Sequence, residues 1–399
     1  MTTEEAATGD FPEPLVAPRS IDARWASDDT DPEHIATALR KLEATRTAEG
    51  ASVAPARALT LVVIVDLDHD EDVRRQLKRL GPQRASRTIV IRRHPERTTL
   101  GGRAAVIQDD SIGHGLRETI VLDVGPDDEM DLDGILDPLV VTDVPSVAWA
   151  PYGDPRHLLL LRSVVQTAII DGDAAASARE ALDDSRALRE SGMRTIDMAW
   201  LRSAAWRVRL ASLAESPEFR RQLIDIERLE ILSRPDSQFG GALLAGWLAH
   251  RLGWQAGPPL LDASRQRVVA HLRDIDQALP GLGGVRLLFR DGASRELSRG
   301  PGGLKIVDTD ADGTRRERTV LGASRGSGGL LPSALRQVLL PDELDEDVLQ
   351  STAALDPRPR ARPCRRRPMS ARRTLRLQGH DRDTCRGVAT PSLGCEVHA

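Results

Sequence analysis

Three constellations in this 399-residue chain combine residue types and spacings that could do chemistry. Asp66, Asp68 and Asp70 alternate with other residues at the end of an apolar run. Aspartates paired in this way can act on phosphate esters, the first attacking phosphorus and the second moving a proton beside Mg²⁺. No downstream lysine and acidic pair completes such a site. The preferred reading is therefore a helix start, where carboxylates cap amides and favour the dipole. Gly322, Gly326 and Gly328 sit between a strand and a helix with the spacing of turns that bring backbone amides to a pyrophosphate. No later strand supplies a ribose-binding carboxylate, so the stretch reads as a glycine loop whose Arg325 could hold an anion. His114, between Gly113 and Gly115, could be a general base, but no Ser or Cys nucleophile stands in a recognisable elbow near it. The nine histidines never show His-x-x-x-His spacing. The expectation is no catalytic residue, no metal site and no cofactor.

The aromatic residues suggest recognition instead. Six Trp stand against one Tyr and four Phe, and three of the Trp fall in two short segments. Trp149 ends an apolar run just before Pro151 and Tyr152, with Asp154 beyond. Trp200 and Trp206 are six residues apart, about 120° around a helix. One indole could then face its own domain while the other turns toward a seam or a partner. Arg202 lies between them and Arg207 follows Trp206; Trp and Arg supply most binding hot spots. Packing at a domain seam is an equal reading for Trp206, and Trp247 and Trp254 are assigned to the core. The candidate partner-binding set is Trp149, Tyr152, Asp154, Trp200, Arg202, Trp206 and Arg207.

These residues need a scaffold, and the hydrophobic pattern predicts an α/β chain. Residues 1–29 are rich in Pro, Asp, Thr and Ala and are expected to lack fixed structure, with Trp25 able to tie the end down. Asp31 and Pro32 then mark a helix start. From Ala58, short apolar strands at 59–66, 88–92, 103–108, 118–124, 146–150 and 166–171 alternate with helical stretches at 71–80, 132–139 and 174–190. Strands that are apolar throughout belong in a sheet covered on both faces, and alternation with helices makes it mostly parallel. Residues 30–190 therefore read as a Rossmann-like domain, with its boundary near 190–195. Residues 191–341 read as a smaller α+β domain with an antiparallel meander, its Asp291-Gly292 and Asp312-Gly313 pairs suited to hairpin turns.

Composition narrows the function classes. Hydrophobic content of 40% with 29% charged residues is that of a globular chain, and no apolar run is long enough to span a bilayer. The acidic, polar N-terminus lacks a signal-peptide layout, so a cytoplasmic protein without a membrane partner is expected. From Asp356 onward there are eleven Arg and four acidic residues, so the net charge of −5 understates the acidity of the body. An acidic body repels phosphates, and no nucleic-acid partner is expected. Residues 342–399 read as an acidic linker and then a tail rich in Arg, Pro and Cys, without fixed structure. A basic arm touching nucleic acid or acidic partners is one reading of that tail. The preferred reading is a peptide encoded in a shifted frame of GC-rich DNA. All three cysteines, Cys364, Cys385 and Cys395, lie there.

Taken together, the segments from Pro145 through Val147, Ala148 and Trp149 to Pro151, from Asp197 through Trp200 and Arg202 to Trp206 and Arg207, and from Ala242 to Leu248 resemble the OpcA family. The strand at 59–63 precedes them in the expected order, and the resemblance runs over roughly residues 30–340. Tyr152 before Gly153, and Ala150 in place of a frequent second Trp, depart from the pattern. The resemblance implies a non-catalytic partner that binds glucose-6-phosphate dehydrogenase and promotes its active oligomer in the oxidative pentose phosphate pathway, supporting NADPH supply. The alternative from the residues themselves is a Rossmann-like enzyme or sensor for a nucleotide or sugar phosphate.

Overall fold

The computed structural model describes residues 23–48, 58–80, 87–109, 115–152, 154–255, 257, 259–301, 303–320, 329–339, 344 and 346–355. The glycine motif at 322–328, His114, Gly153 and the tail from 356 lie outside the described residues. The first half comprises β1 (Ala23–Ser27), α1 (Pro32–Ala48), β2 (Thr60–Asp66), α2 (Asp70–Leu80), β3 (Arg87–Arg93), β4 (Gly101–Asp109) and β5 (Gly115–Val124). It continues through α3 (Pro126–Glu129), α4 (Leu132–Leu136), β6 (Ser146–Trp149), β7 (Thr167–Ile170), α5 (Ala178–Glu190) and β8 (Arg194–Asp197). The second half comprises α6 (Met198–Leu213), α7 (Pro217–Gln222), β9 (Ile226–Ser233), α8 (Gln238–Arg251) and β10 (Val269–Asp274). Then come β11 (Leu282–Phe289), β12 (Ser294–Gly300), β13 (Gly303–Thr309), β14 (Arg315–Val320), α9 (Leu330–Leu339) and α10 (Glu346–Ala354).

The first eight strands form one sheet in the order β1-β4-β5-β3-β2-β6-β7-β8. Six of them run parallel, while β1 and β4 add an antiparallel edge. This is the mostly parallel, Rossmann-like sheet that the apolar strands predict. Side chains alternate across it: Val62 and Ile64 pack on one face, Leu61, Val63 and Val65 on the other. Helix α1 covers the first face through Ile35 and Leu39, with Leu132 and Leu136 of α4. The second face is covered by Val73 and Leu77 of α2 and by Leu330, Leu331, Ala334 and Leu335 of α9. With both faces buried, neither can be polar, hence the unbroken apolar runs.

The second sheet runs β10-β9-β11-β12-β13-β14, an antiparallel meander with β10 added parallel to β9. Gly292 (φ +88°) and Gly313 (φ +85°) occupy left-handed positions in the two expected turns, which a side chain would strain. Phe219, Trp206, Leu244 and Leu248 fill the core beneath Leu229, Ile231, Val285 and Leu287.

Four features differ from the sequence reading. Ala23–Ser27, expected to lack structure, pair with β4 from Ala23–Val106 to Ser27–Gly102, and Trp25 packs on the core. β8 lies beyond Glu190 yet pairs with β7; four residues are too few to announce a strand. Helix α9, expected with the second domain, covers the first sheet. Residues 346–354, expected in an acidic linker, form α10, where Glu346 and Asp347 supply the negative charge that favours a helix start. That helix docks on α8 so closely that a Cβ on Gly246 would stand 2.1 Å from Thr352 Oγ1. The described residues cluster as one compact unit that includes both sheets. Among the described residues, no helix is long and apolar enough to cross a membrane.

Candidate functional site

The six parallel strands, counted along the chain, lie third-second-first-fourth-fifth-sixth across the sheet. In that order the ligand crevice opens at the carboxyl ends of the first and fourth strands, here β2 and β6. A dinucleotide site there needs a glycine turn and a helix N-terminus free to receive phosphate. This chain places other groups in that position. After β2 come Leu67, Asp68 and His69 in a 3₁₀ turn, and α2 opens with Asp70, Glu71 and Asp72. After β6, Tyr152 folds over, its ring stacked on His69 at 4.5 Å between centroids and 28° between planes. Gln76 Nε2 on α2 donates to the Tyr152 hydroxyl at 2.9 Å. The protein's own side chains thus stand at the mouth of the crevice, and the helix start beside it carries carboxylates.

Neighbouring strand ends hold a web of ion pairs. Arg93 binds Asp66 at 3.0 Å and also Glu129. Arg92 grips Asp123 with Nε–Oδ1 2.6 Å and Nη2–Oδ2 2.8 Å, and Arg103 and His94 add contacts at 2.8 and 2.9 Å. Burial alone would raise the Asp123 carboxyl, but the Arg92 and Arg103 charges and the hydrogen bonds outweigh it and hold the group below its usual range. Asp66 makes no side-chain cap on the 3₁₀ turn; its bond is to Arg93. Asp68 is exposed, and among the described residues no group of three acidic, His or Cys side chains could hold a metal ion.

A second cluster lies where the two sheets meet. Arg202 of α6 binds Asp171 at 2.6 and 2.5 Å and Asp173 at 3.1 Å. Asp173 Oδ1 accepts the Gly240 N–H at the start of α8 (2.9 Å). Asp197 caps α6, its Oδ1 accepting from Ala199 (2.7 Å) and Gly172 (3.3 Å), while Oδ2 is buried without a hydrogen-bond partner. Burial foremost, then the Asp171 charge, pushes the Asp197 carboxyl up to about 7. Burial works against the Arg202 charge, but the bonds to Asp171 and the surrounding carboxylates hold its proton above the ordinary guanidinium range. This cluster joins strand ends to both α6 and α8 and is built for holding the halves together.

The predicted partner-binding residues separate by burial. Trp149 is 2% exposed, in the core between the sheet, α2 and α9. Trp200 is 3% exposed, among Phe239, Leu243 and Val348 of α8 and α10. The Arg207 guanidinium covers its ring at 3.3 Å, and its Nε1 is buried without an acceptor. Trp206 is 3% exposed in the second core. No indole of the three reaches the surface: Trp149 lies beneath α2 and α9, and α6 is covered both toward the first sheet and toward the second. The expectation of surface indoles is therefore not met, and Trp200 takes the seam position. Arg202 and Arg207 are likewise turned inward. Tyr152 and Asp154 are exposed, Asp154 capping the 3₁₀ segment Pro155–Leu161 through Arg156 N–H (2.9 Å). The structure adds Leu67 (42% exposed) and Met130 (81%), lone apolar residues in acidic loops that give no periodic signal.

Two family models, described as the N-terminal and the C-terminal domain of a glucose-6-phosphate dehydrogenase subunit, match the chain in order. The N-terminal model matches residues 77–187 and the C-terminal model residues 193–382. An OpcA protein of Nostoc punctiforme, assigned by name to the OxPP cycle, is 26% identical over 206 residues. The match covers 50% of this chain and 38% of that protein's length. Among solved structures, a 3-ketoreductase of Actinomadura kijaniata superposes at a TM-score of 0.45 with 12% identity, over 75% of this chain and 96% of that one. An aldose-aldose oxidoreductase of Caulobacter crescentus gives 0.40 and 11% over the same shares. These superpositions are loose, and no reaction or cofactor is carried over from them. With both domain models matched in sequence order, the chain belongs to the OpcA family.

Proposed function

We propose that this protein is a non-catalytic, cytoplasmic partner of glucose-6-phosphate dehydrogenase that binds the enzyme and favours its active oligomer, supporting NADPH supply by the oxidative pentose phosphate pathway. One observation carries the non-catalytic reading. The crevice where this strand order places a dinucleotide has the His69–Tyr152 stack at its mouth, beside an acidic helix start. The physical route is linkage: a protein that binds the active oligomer better than other states shifts the population by that difference in affinity. Tyr152 and Asp154 have the exposure that contact requires. Trp149, Trp200, Arg202, Trp206 and Arg207 serve by fixing the strand ends and helices that carry the surface. The test is dehydrogenase activity and size-exclusion mass of the cognate enzyme with and without this protein. Both are expected to rise, and no change in either overturns the assembly role.

The strand order itself favours a second reading, a sensor or enzyme for a nucleotide or sugar phosphate. Thermal shifts with NADP, glucose 6-phosphate and ATP separate the two. No stabilisation is expected, and strong stabilisation by a single ligand would support the second reading instead.

A further inference from the structure

Three of the seven large apolar side chains exposed among the described residues, Leu67, Met130 and Tyr152, stand at the carboxyl-end rim of the first sheet. They follow β2, β5 and β6, and the order β5-β3-β2-β6 makes these strands near neighbours. Three strand spacings cover about 15 Å. Contacts join them along the rim: Tyr152 stacks on His69, two residues from Leu67, and Arg93 ties Asp66, before Leu67, to Glu129, before Met130. The rim thus presents three apolar side chains that stay 42%, 81% and 44% exposed at Leu67, Met130 and Tyr152. Around them Asp68, Glu71, Asp127, Asp131 and Asp154 are exposed. The exposed bases nearby are already matched, Arg75 with Asp72 and Arg156 with Asp184.

We propose that this rim is the docking surface for the dehydrogenase and that it receives a lysine- or arginine-rich patch with an apolar centre. This rests on the assembly reading above. An apolar centre supplies the affinity, and a ring of one charge sign speeds encounter and selects a partner of the opposite sign. The carboxylates beside the crevice make the rim complementary to a basic protein surface.

The experiment measures association of the full chain with the purified cognate dehydrogenase by surface plasmon resonance at low and high salt. Two rim variants, Leu67→Ala/Met130→Ala and Asp68→Lys/Glu71→Lys, are compared with a control, Val208→Ala/Ile224→Ala, altered at exposed apolar residues of α6 and just after α7. All six positions are exposed, so the Leu67→Ala/Met130→Ala variant and the control should melt with the wild type, while the charge variant, which puts cations at the start of α2 and beside Arg75, should melt slightly lower yet stay folded at the assay temperature. Each rim variant should weaken binding by about tenfold or more, the charge variant mainly through the association rate. The control should bind as wild type, and wild-type association should slow with salt. Equal binding by wild type and rim variants overturns the docking surface and leaves the assembly reading intact. Salt-independent association overturns the basic character of the partner. A wild-type chain that does not bind the enzyme overturns both.

Discussion

Replacing Asp197 by Asn should abolish a pH dependence of stability that the wild type carries. Asp197 is 2% exposed, and its carboxyl rises from an ordinary 3.8 to about 7, burial first and the Asp171 charge next. A carboxyl that holds its proton more tightly in the fold than in the unfolded chain stabilises the protein fully at pH values below the unfolded pKa. That stability is lost as pH rises through the folded pKa, because the fold must then bury an anion. At about 1.36 kcal/mol per pKa unit, a rise of roughly three units amounts to about 4 kcal/mol lost between pH 4 and pH 8. Other charges at the junction, Asp171, Asp173 and Arg202, remain in both proteins. Asn retains the side-chain oxygen that accepts the Ala199 N–H, so the cap on α6 survives. Urea unfolding followed by tryptophan fluorescence at constant ionic strength gives both stabilities across this range. The advantage of wild type over Asn should fall with pH and reverse on the alkaline side. A difference that stays level from pH 4 to 8 would refute the argument that Asp197 is held protonated.

Two further substitutions probe the joint between the halves. Gly246→Ala should destabilise the protein by about 1–3 kcal/mol, because the new methyl meets both Thr352 Oγ1 at 2.1 Å and the Thr352 backbone nitrogen at 2.8 Å. Limited proteolysis should then cut first within α10, and an unchanged cleavage pattern would count against that docking. Arg202→Ala leaves Asp171 and Asp173 facing one another without their shared cation, and about 3 kcal/mol should be lost in urea unfolding. A loss under about 1 kcal/mol would mean the cluster contributes little to holding the halves together.

The sheet was legible where physics leaves a periodic trace. Val62 through Val65 read as a doubly covered strand because adjacent side chains enter opposite cores. Gly292 and Gly313 marked turns because few residues other than glycine tolerate that backbone conformation. The site was legible only in part. Tyr152, in the turn segment after Trp149, is exposed. The spacing of Trp200 and Trp206 gave their angle on the helix correctly in principle, yet an angle does not say what covers each side. Helix α6 runs between two packed layers and has little open flank at either indole. Asp171, Asp173 and Asp197 converge only in three dimensions, so neither their cluster nor the raised proton affinity of Asp197 leaves a trace in local sequence. α10 was hidden by its acidic first turn, which has the composition of a linker and the electrostatics of a helix start.

The return of α9 to the first sheet means that the chain closes on itself like a clasp. The polypeptide leaves through β8, builds the entire second sheet, and only then supplies Leu330, Leu331, Ala334 and Leu335 to cover Val63 and Val65. A ribosome would therefore release some 140 residues before the first sheet gains its last covering layer. Until then, a broad aliphatic surface waits in contact with water or with a chaperone. Cutting the chain between β8 and α9 would leave that part of the face bare in the first fragment until the second docks back onto it.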